Sequence, residues 1–266
     1  MNGPLSSRRS ILLGAPAVLA APSALAQSLG QSVPMPGETL ALEQLMTKTL
    51  EAQLGDAATA RQLASTIAEA GFRWQYPQFP LRDADSVVAY SFGYRSATGK
   101  VDPNTGLSTG EEKPEPGPIN EMLADAVHAI CMARKVRVYA QWEIAEVLGK
   151  KYGLKDVVAI YPEAGADGKK TYLSTDGVAG AVVRLAGNAG TLGNVAVVGH
   201  RDHVKRCILV SRQHGMNAAA VREVPLPVHY DPESAQPWTR RRDAYLLSDV
   251  IAQLMMARTG LTSNAG

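Results

Sequence analysis

Cysteine is nearly absent from this chain, which has only Cys131 and Cys207 among its 266 residues. Two cysteines cannot form the disulfide framework that holds many small secreted proteins together. Each lies in an apolar helical pattern, which favours two buried thiols, while a single bridge between them is the alternative. About 240 residues remain after the predicted export signal, and a chain of that length can be stabilised by a large hydrophobic core.

An excess of charge of one sign is also missing. The chain has 27 Lys and Arg residues against 25 Asp and Glu residues. Its first 26 residues contain Arg8 and Arg9 and no acidic residue, so the remainder has 25 of each sign. General binding to nucleic acids or to anionic membranes depends on a surplus of Lys and Arg. The composition therefore argues against both kinds of partner.

Long apolar runs and common catalytic motifs are missing as well. The apolar stretch near the N-terminus is short and is interrupted by Pro16 and Pro22, and no second run could form a transmembrane segment in the mature chain. There is no Walker loop, no H-E-x-x-H helix and no G-x-S-x-G elbow between a strand and a helix. A G-x-G-x-x-G fingerprint for a nicotinamide cofactor is absent too, so the sequence leaves any cofactor unknown.

The first 26 residues are typical of a cleavable export signal. Ser7-Arg8-Arg9-Ser10 precedes an apolar stretch that ends at Leu19, and Ala24-Leu25-Ala26 forms a small-residue cleavage site. Paired arginines at this place are read by the twin-arginine translocase, and an ordinary Sec signal is the alternative. We expect the mature chain to begin at Gln27 and to work in the periplasm or elsewhere outside the cytoplasm.

The remaining chain is predicted to contain a linker at 27–38, a helical extension at 39–84 and an α/β domain at 85–266. The linker is rich in Gln, Ser, Gly and Pro and has no periodicity. The extension contains two amphipathic patterns, with Asp56 as the predicted N-cap of the second helix and Gly71 as its predicted end.

From Asp85 onward, short runs rich in Val and Ile alternate with helical patterns. Strands are predicted at Ser86–Ser91, Val136–Ala140, Val157–Tyr161, Val195–Gly199 and Ala220–Val224. Helices are predicted at Ile119–Ala133, Ile144–Tyr152, Thr175–Ala189, His203–His214 and Thr239–Arg258. Strands that are apolar on both faces and joined by helices indicate a three-layer α/β/α, Rossmann-like fold with a mostly parallel, doubly wound sheet. The long segment Phe92–Pro118 is either a lid over the sheet edge or a disordered insertion.

Ligands of such folds bind at the carboxyl ends of the strands, and the fourth predicted strand leads into His200, Asp202, His203 and Arg206. His203 and Arg206 are three residues apart in the first turn of a helix, where the helix dipole favours anions. We predict that Arg206 binds a phosphate or carboxylate and that His203, or His200 in the preceding turn, exchanges a proton, with Asp202 beside them. Alternatively, Asp202 caps the helix while His203 and Arg206 pair with carboxylates. The spacing is not that of a metal site, and none is predicted.

Other predicted site residues follow the remaining strands. Ser91 and Gly93 form a turn of small residues in which backbone can approach a ligand. Glu143 is a candidate acid or base, with an exposed first-turn glutamate as the alternative. The remaining ligand-binding candidates begin a helix and are Ser174, Thr175 and Asp176.

The segment Val197–Cys207 resembles the YdcF/SanA/ElyC family of bacterial proteins, whose members have a His-x-x-Arg pair between a strand and a helix. A weaker resemblance extends from residue 85 to about 258. It implies a Rossmann-like domain with a pocket at the strand ends and a role in the cell envelope, in barrier function and wall-precursor metabolism. The chain departs from the family at Ser91-Phe92-Gly93, Ala140-Gln141-Trp142, Ser174-Thr175-Asp176-Gly177 and Gly199-His200, so only His203 and Arg206 are carried over.

Together these patterns predict an exported envelope protein that binds an anionic small molecule or a phosphorylated lipid headgroup. Whether it also catalyses acid–base chemistry on that molecule is left open. One alternative is a noncatalytic protein with a vestigial pocket that binds an envelope protein partner. The other is a methyltransferase-like or nucleotide-binding role, which the fold permits.

Overall fold

A computed structural model describes residues 36–96, 114–162 and 172–263. The predicted export signal, residues 27–35 of the predicted linker and the central part of the Phe92–Pro118 segment lie outside the described residues, whereas residues 36–38 of that linker are helical. Within the described ranges the chain forms one six-stranded sheet in which every pair of neighbouring strands is parallel. The prediction of an α/β fold of the Rossmann-like, three-layer type is confirmed.

The strands are short and agree closely with the predicted ones. They are Gln78–Phe79 (β1), Ser86–Ala89 (β2), Arg137–Gln141 (β3), Val157–Ile160 (β4), Asn194–Val198 (β5) and Asn217–Val221 (β6). Strand β6 begins three residues before its predicted start, because alanines with low strand propensity form its first half. Strand β1 was not predicted, since two residues between prolines carry no periodic signal.

The order of the strands is β1-β6-β5-β2-β3-β4. The chain starts the main sheet at β2, adds β3 and β4 on one side, and then returns to the other side of β2 to add β5 and β6. The direction of winding therefore reverses between β2 and β5, which is where doubly wound sheets bind their ligands. We call the carboxyl ends of β3, β2 and β5 the switch-point edge.

The described residues form seven α-helices. They are Pro36–Leu54 (α1), Ala57–Phe72 (α2), Pro118–Ala133 (α3), Trp142–Tyr152 (α4), Thr175–Ala186 (α5), Val204–Gln213 (α6) and Arg242–Ser263 (α7). Helix α5 ends earlier than predicted because Gly187 has a φ of 88° and follows the last helical residue. Helix α7 begins later than predicted because Pro237–Thr239 form a separate 3₁₀ turn.

Two hydrophobic clusters cover the two faces of the sheet. Val87 and Ala89 of β2 face α3 and α4, whereas Val88 and the adjacent Tyr90 face α5 and α6. All four residues of β2 are buried, and burying one valine side chain contributes about 1.5–3 kcal/mol. This central strand therefore holds both helical layers and fixes the position of the switch-point edge.

The two cysteines lie in different clusters. Cys131 of α3 belongs to the cluster on one face of the sheet, and Cys207 of α6 belongs to the cluster on the other. Both are free thiols; Cys207 is fully buried and Cys131 is half-buried. Because the sheet separates them, the two thiols do not form the alternative bridge.

Helices α1 and α2 pair with each other, and α2 also contacts α7. Asp56 caps α2 as predicted, since its Oδ1 accepts hydrogen bonds from Ala58 N at 2.9 Å and Thr59 N at 3.1 Å. Among the described helices, none is long and apolar enough to cross a membrane.

The last helix, α7, turns its polar side chains inward. Tyr245, Asp249 and Gln253 are buried on one face, while Leu247 and Ile251 on the opposite face are 64% and 53% exposed. Asp249 accepts hydrogen bonds from Gln253 Nε2 at 2.7 Å and from Tyr245 OH at 3.2 Å. Tyr245, Asp249 and Gln253 thus form a buried polar stripe along α7, and this stripe reaches the switch-point edge.

Candidate functional site

The first part of the site joins the start of α6 to α7. His203 is the N-cap residue of α6, and its Nδ1 lies 3.8 Å from Oδ1 of Asp249. Arg206 donates from Nε to the same oxygen at 2.6 Å, from Nη1 to Thr175 Oγ1 at 2.7 Å and from Nη2 to Tyr245 OH at 3.2 Å. The three-residue spacing therefore brings both side chains to one buried carboxylate.

The positive charge of Arg206 and the negative charge of Asp249 largely balance each other. Burial would raise the pKa of Asp249, but His203 and Arg206 lower it to about 2. Burial and the neighbouring Arg206 lower the pKa of His203 to about 4, so its imidazole is neutral at physiological pH. Arg206 was predicted to be an open anion clamp, and the structure instead places most of its donors on protein oxygens. The alternative, a structural pair with a carboxylate, describes its position correctly.

The second part of the site is a buried carboxyl group on the other side of β2 from His203. Glu143 follows β3 in the first turn of α4 and is 0% exposed, so it is not the exposed glutamate of the alternative interpretation. Its Oε1 accepts a hydrogen bond from Tyr172 OH at 2.7 Å, and Tyr172 OH lies 2.7 Å from Ser91 Oγ. Burial raises the pKa of Glu143 to about 7.

Two buried side-chain atoms have no hydrogen-bond partner in the described part of the chain. They are Oε2 of Glu143 and Nδ1 of His203, and both lie at the switch-point edge. Nδ1 of His203 faces the Asp249 carboxylate at 3.8 Å, beyond hydrogen-bond distance, whereas Oε2 of Glu143 has no such neighbour among the described residues. An unpaired buried polar group costs about 1–3 kcal/mol, so proteins rarely keep one without a reason.

Two other predicted residues, His200 and Asp202, make structural contacts at this edge. His200 is buried, donates from Nε2 to His229 O at 2.9 Å and accepts at Nδ1 from Asp202 N at 3.2 Å. Both of its ring nitrogens are therefore engaged within the protein. Asp202 accepts hydrogen bonds from Tyr230 OH, Arg201 Nε and Arg242 Nε at 2.7, 3.0 and 2.9 Å. These contacts fix the turn that carries His203.

The residues at the start of α5 divide between the site and the surface. Thr175 belongs to the site because it accepts the hydrogen bond from Arg206. Ser174 instead caps α5 through Gly177 N at 3.1 Å. The side chain of Asp176 is 72% exposed and pairs with His214 at 2.8 Å. The sequence therefore predicted the position of this turn correctly, but it did not show which of the three side chains faces the site.

Gly93 supports the edge through its backbone. Its φ is 71°, and a Cβ atom at this position would lie 2.5 Å from Ser234 Oγ and 2.6 Å from Thr239 Oγ1. We expect Gly93→Ala to lower the free energy of unfolding by roughly 2 kcal/mol or more, from backbone strain and steric overlap. Urea unfolding checks this value. Gly71→Ala is the control, because open space surrounds Gly71; an equal loss in both variants would contradict the explanation.

Two open clefts lie elsewhere on the protein. A cleft of about 490 Å³ is lined by Arg95, Glu121, Glu146, Lys150 and residues 114–118. A second cleft of about 570 Å³ lies between α2, α6 and α7 and is lined by residues that include Glu69, Leu209 and Met256. Neither cleft is lined by Glu143 or His203.

Residues 36–96, 114–162 and 172–263 contain no group of three or more His, Cys, Asp or Glu side chains that could hold a metal ion. Within the pair His200 and His203, His200 uses both ring nitrogens for bonds inside the protein.

The two most important partners at the site, Asp249 and Tyr172, were not predicted. Asp249 interrupts an apolar helical run, and a single acid in such a run is a weak signal for a buried charge pair. Tyr172 lies outside every predicted strand and helix and gave no signal at all. No protein-family model, curated protein or solved structure matches this chain.

Proposed function

We propose that this chain is an exported, envelope-associated protein of the YdcF-like type that binds a small phosphorylated or otherwise anionic molecule at the switch-point edge. The molecule is either free or the headgroup of a lipid. Glu143 and His203 exchange protons with it, and Asp249 and Arg206 hold His203 in place.

The unpaired Oε2 of the buried Glu143, together with the His203 ring on the other side of β2, is the observation that carries this proposal. They lie on opposite sides of β2, because Glu143 follows β3 and His203 follows β5. Strands β3 and β5 are two strand spacings apart, or about 10 Å, which is the span of a small molecule. A ligand at this place gives Oε2 of Glu143 the partner that it lacks and also reaches the His203 ring.

The two groups suit complementary proton transfers. With a pKa of about 7, Glu143 is partly protonated at neutral pH and donates a proton. His203 is neutral, and the Asp249 carboxylate beside Nδ1 favours the tautomer whose Nε2 accepts a proton. Two titratable groups whose pKa values are shifted in opposite directions at one site are a common arrangement for acid–base chemistry.

An anionic ligand is favoured by the start of α6. No side chain caps this helix at His203, and its first turn carries the positive end of the helix dipole. Val204 N donates to His200 O at 2.8 Å, so the N–H groups left in this turn are those that follow Val204. Arg206 adds to this, because three of its five N–H donors are used in the bonds described above and two remain. Its charge is balanced by Asp249, so Arg206 orients a ligand more than it attracts one.

Native mass spectrometry of the exported chain tests the proposal. The protein is expressed with its own signal and purified from the periplasmic fraction as the wild type and as the Glu143→Gln/His203→Gln double variant. We expect the wild type to start at Gln27 and to carry a small anionic molecule, and the double variant to carry at least roughly tenfold less, because two buried contacts are lost.

The double variant Glu146→Gln/His128→Gln is the matched control. Glu146 lies one turn after Glu143 and pairs with Lys150, and His128 stacks on Tyr152, so both are outside the switch-point edge. Equal retention in all three proteins would contradict the assignment of the site, and a chain confined to the cytoplasm would contradict export. A protein partner that still binds the Glu143→Gln/His203→Gln variant would instead support the noncatalytic alternative.

A further inference from the structure

A chain of three hydroxyl and carboxyl groups connects the centre of the switch-point edge to the buried Glu143. Ser91 Oγ lies 2.7 Å from Tyr172 OH, and Tyr172 OH lies 2.7 Å from Glu143 Oε1. Ser91 is the last of these groups on the β2 side, and its own N–H donates to Gln141 Oε1 at 2.8 Å. The backbone at Ser91 is therefore fixed, while its hydroxyl hydrogen is free to turn.

The direction of the two hydrogen bonds depends on whether Glu143 holds a proton. When Glu143 is ionised, Tyr172 must donate to it, so Ser91 donates to Tyr172 and its own oxygen is left as an acceptor. When Oε1 is protonated, Glu143 donates to Tyr172, Tyr172 donates to Ser91, and the Ser91 hydrogen points away from the chain. Within the described ranges Oε2 has no partner to which it could donate, so in the unliganded protein the proton favours Oε1, where it turns Ser91 from an acceptor into a donor.

The groups that face Glu143 are mainly hydroxyls from neighbouring elements. They are Tyr172 from the segment before α5 and Ser91 from the end of β2, with Tyr94 stacked on the Tyr172 ring at 5.5 Å. Burial raises the pKa of Glu143 to about 7, and the hydrogen bond from Tyr172 works against this. The fixed charges Arg206 and Asp249 lie across β2 and pair with each other.

We propose that Tyr172 is a positioning residue that passes the protonation state of Glu143 to the Ser91 hydroxyl, so that a tetrahedral oxyanion binds there with uptake of one proton. This inference rests on the proposed function and names the class of its ligand. The oxyanion needs a donor, and Ser91 is a donor only when Glu143 is protonated.

Binding of inorganic sulfate to the full chain, measured by calorimetry at about pH 6 and about pH 8, tests the relay. Sulfate keeps its charge between these values, so it does not titrate itself. If only the protein with protonated Glu143 binds, the dissociation constant should be about tenfold lower at the acidic value. In Tyr172→Phe and in Glu143→Gln the difference should fall below about twofold, because neither variant can pass on a proton-dependent signal.

Tyr90→Phe is the matched control. Tyr90 is also buried and adjoins Ser91, but its hydroxyl bonds to Ser211 at 2.6 Å, so this variant should keep the tenfold difference. Carbon-13 NMR of the Glu143 carboxyl gives a readout without ligand. Tyr172→Phe should raise the pKa of Glu143 above its wild-type value, because it removes a donor that stabilises the carboxylate.

The outcomes separate the relay from the proposed function. Sulfate binding that keeps its pH dependence in Tyr172→Phe overturns the relay and leaves the site intact. A wild type that binds no sulfate at either pH overturns both. If Tyr172→Phe does not fold, Ser91→Ala interrupts the same chain at its other end, and a retained tenfold difference in that variant overturns the relay.

Discussion

Replacing Asp249 with alanine is expected to lower the free energy of unfolding by about 3–5 kcal/mol. The substitution leaves the Arg206 guanidinium in a largely buried position without its carboxylate, and it removes the hydrogen-bond partner of Gln253. It also removes the link from α7 to His203. Urea unfolding followed by circular dichroism measures the loss.

The control for this prediction is Asp243→Ala in the same helix. Asp243 pairs with Arg241 at 2.6 Å, but both side chains are about 70% exposed, so we expect a change within about 0.5 kcal/mol. The double variant Arg206→Met/Asp249→Leu removes both charges and should be more stable than Asp249→Ala. If Asp249→Ala loses less than about 1 kcal/mol, the buried pair is not what holds α7 to the site.

Acidification from pH 7 is expected to destabilise the protein well above the range in which carboxylates usually titrate. His200 and His203 have pKa values of about 4 in the folded state, mainly because they are buried, against an ordinary value of 6.5. Between these values the unfolded chain binds more protons, so stability is retained above pH 6.5 and is lost as the pH falls towards 4. Each histidine accounts for a loss of about 3 kcal/mol over this range.

Glu143 acts in the opposite direction. Its pKa is about 7 in the folded state against an ordinary 4.5, so between these values the folded chain binds more protons and stability rises as the pH falls. From pH 7 to pH 4.5 the wild type should therefore lose a net of about 2 kcal/mol, and Glu143→Gln should lose about 5 kcal/mol. Urea unfolding at closely spaced pH values measures both slopes. A variant no steeper than the wild type would show that Glu143 is not buried as a neutral acid.

The sheet could be predicted from the sequence because its strands are apolar on both faces. Three strands lie within one residue of their predicted positions, apart from one end: Ser86–Ala89, Val157–Ile160 and Asn194–Val198. The exception is the end of the first strand, which was predicted two residues later, at Ser91. Helical spacing likewise placed α3 and α4. The reversal of strand order then followed from the fold class, and with it the edge that His203 and Glu143 occupy.

The contacts within the site could not be predicted, because they join residues far apart in the chain. Arg206 meets Asp249 across 43 positions, and Glu143 meets Tyr172 across 29. A sequence pattern shows which face of a helix is apolar, but α7 buries polar residues and exposes Leu247 and Ile251. Local periodicity therefore could not show which face of α7 is buried, and it carried no information about Tyr172.

The structure of the exported protein with its retained molecule is the most direct test of the central claim, that the switch-point edge is the ligand site. We expect polar atoms of the molecule to lie within hydrogen-bond distance of Glu143 or His203 and above the end of β2 at Ser91. A molecule found instead in the cleft between α2, α6 and α7, or in the cleft beside Arg95, would contradict it.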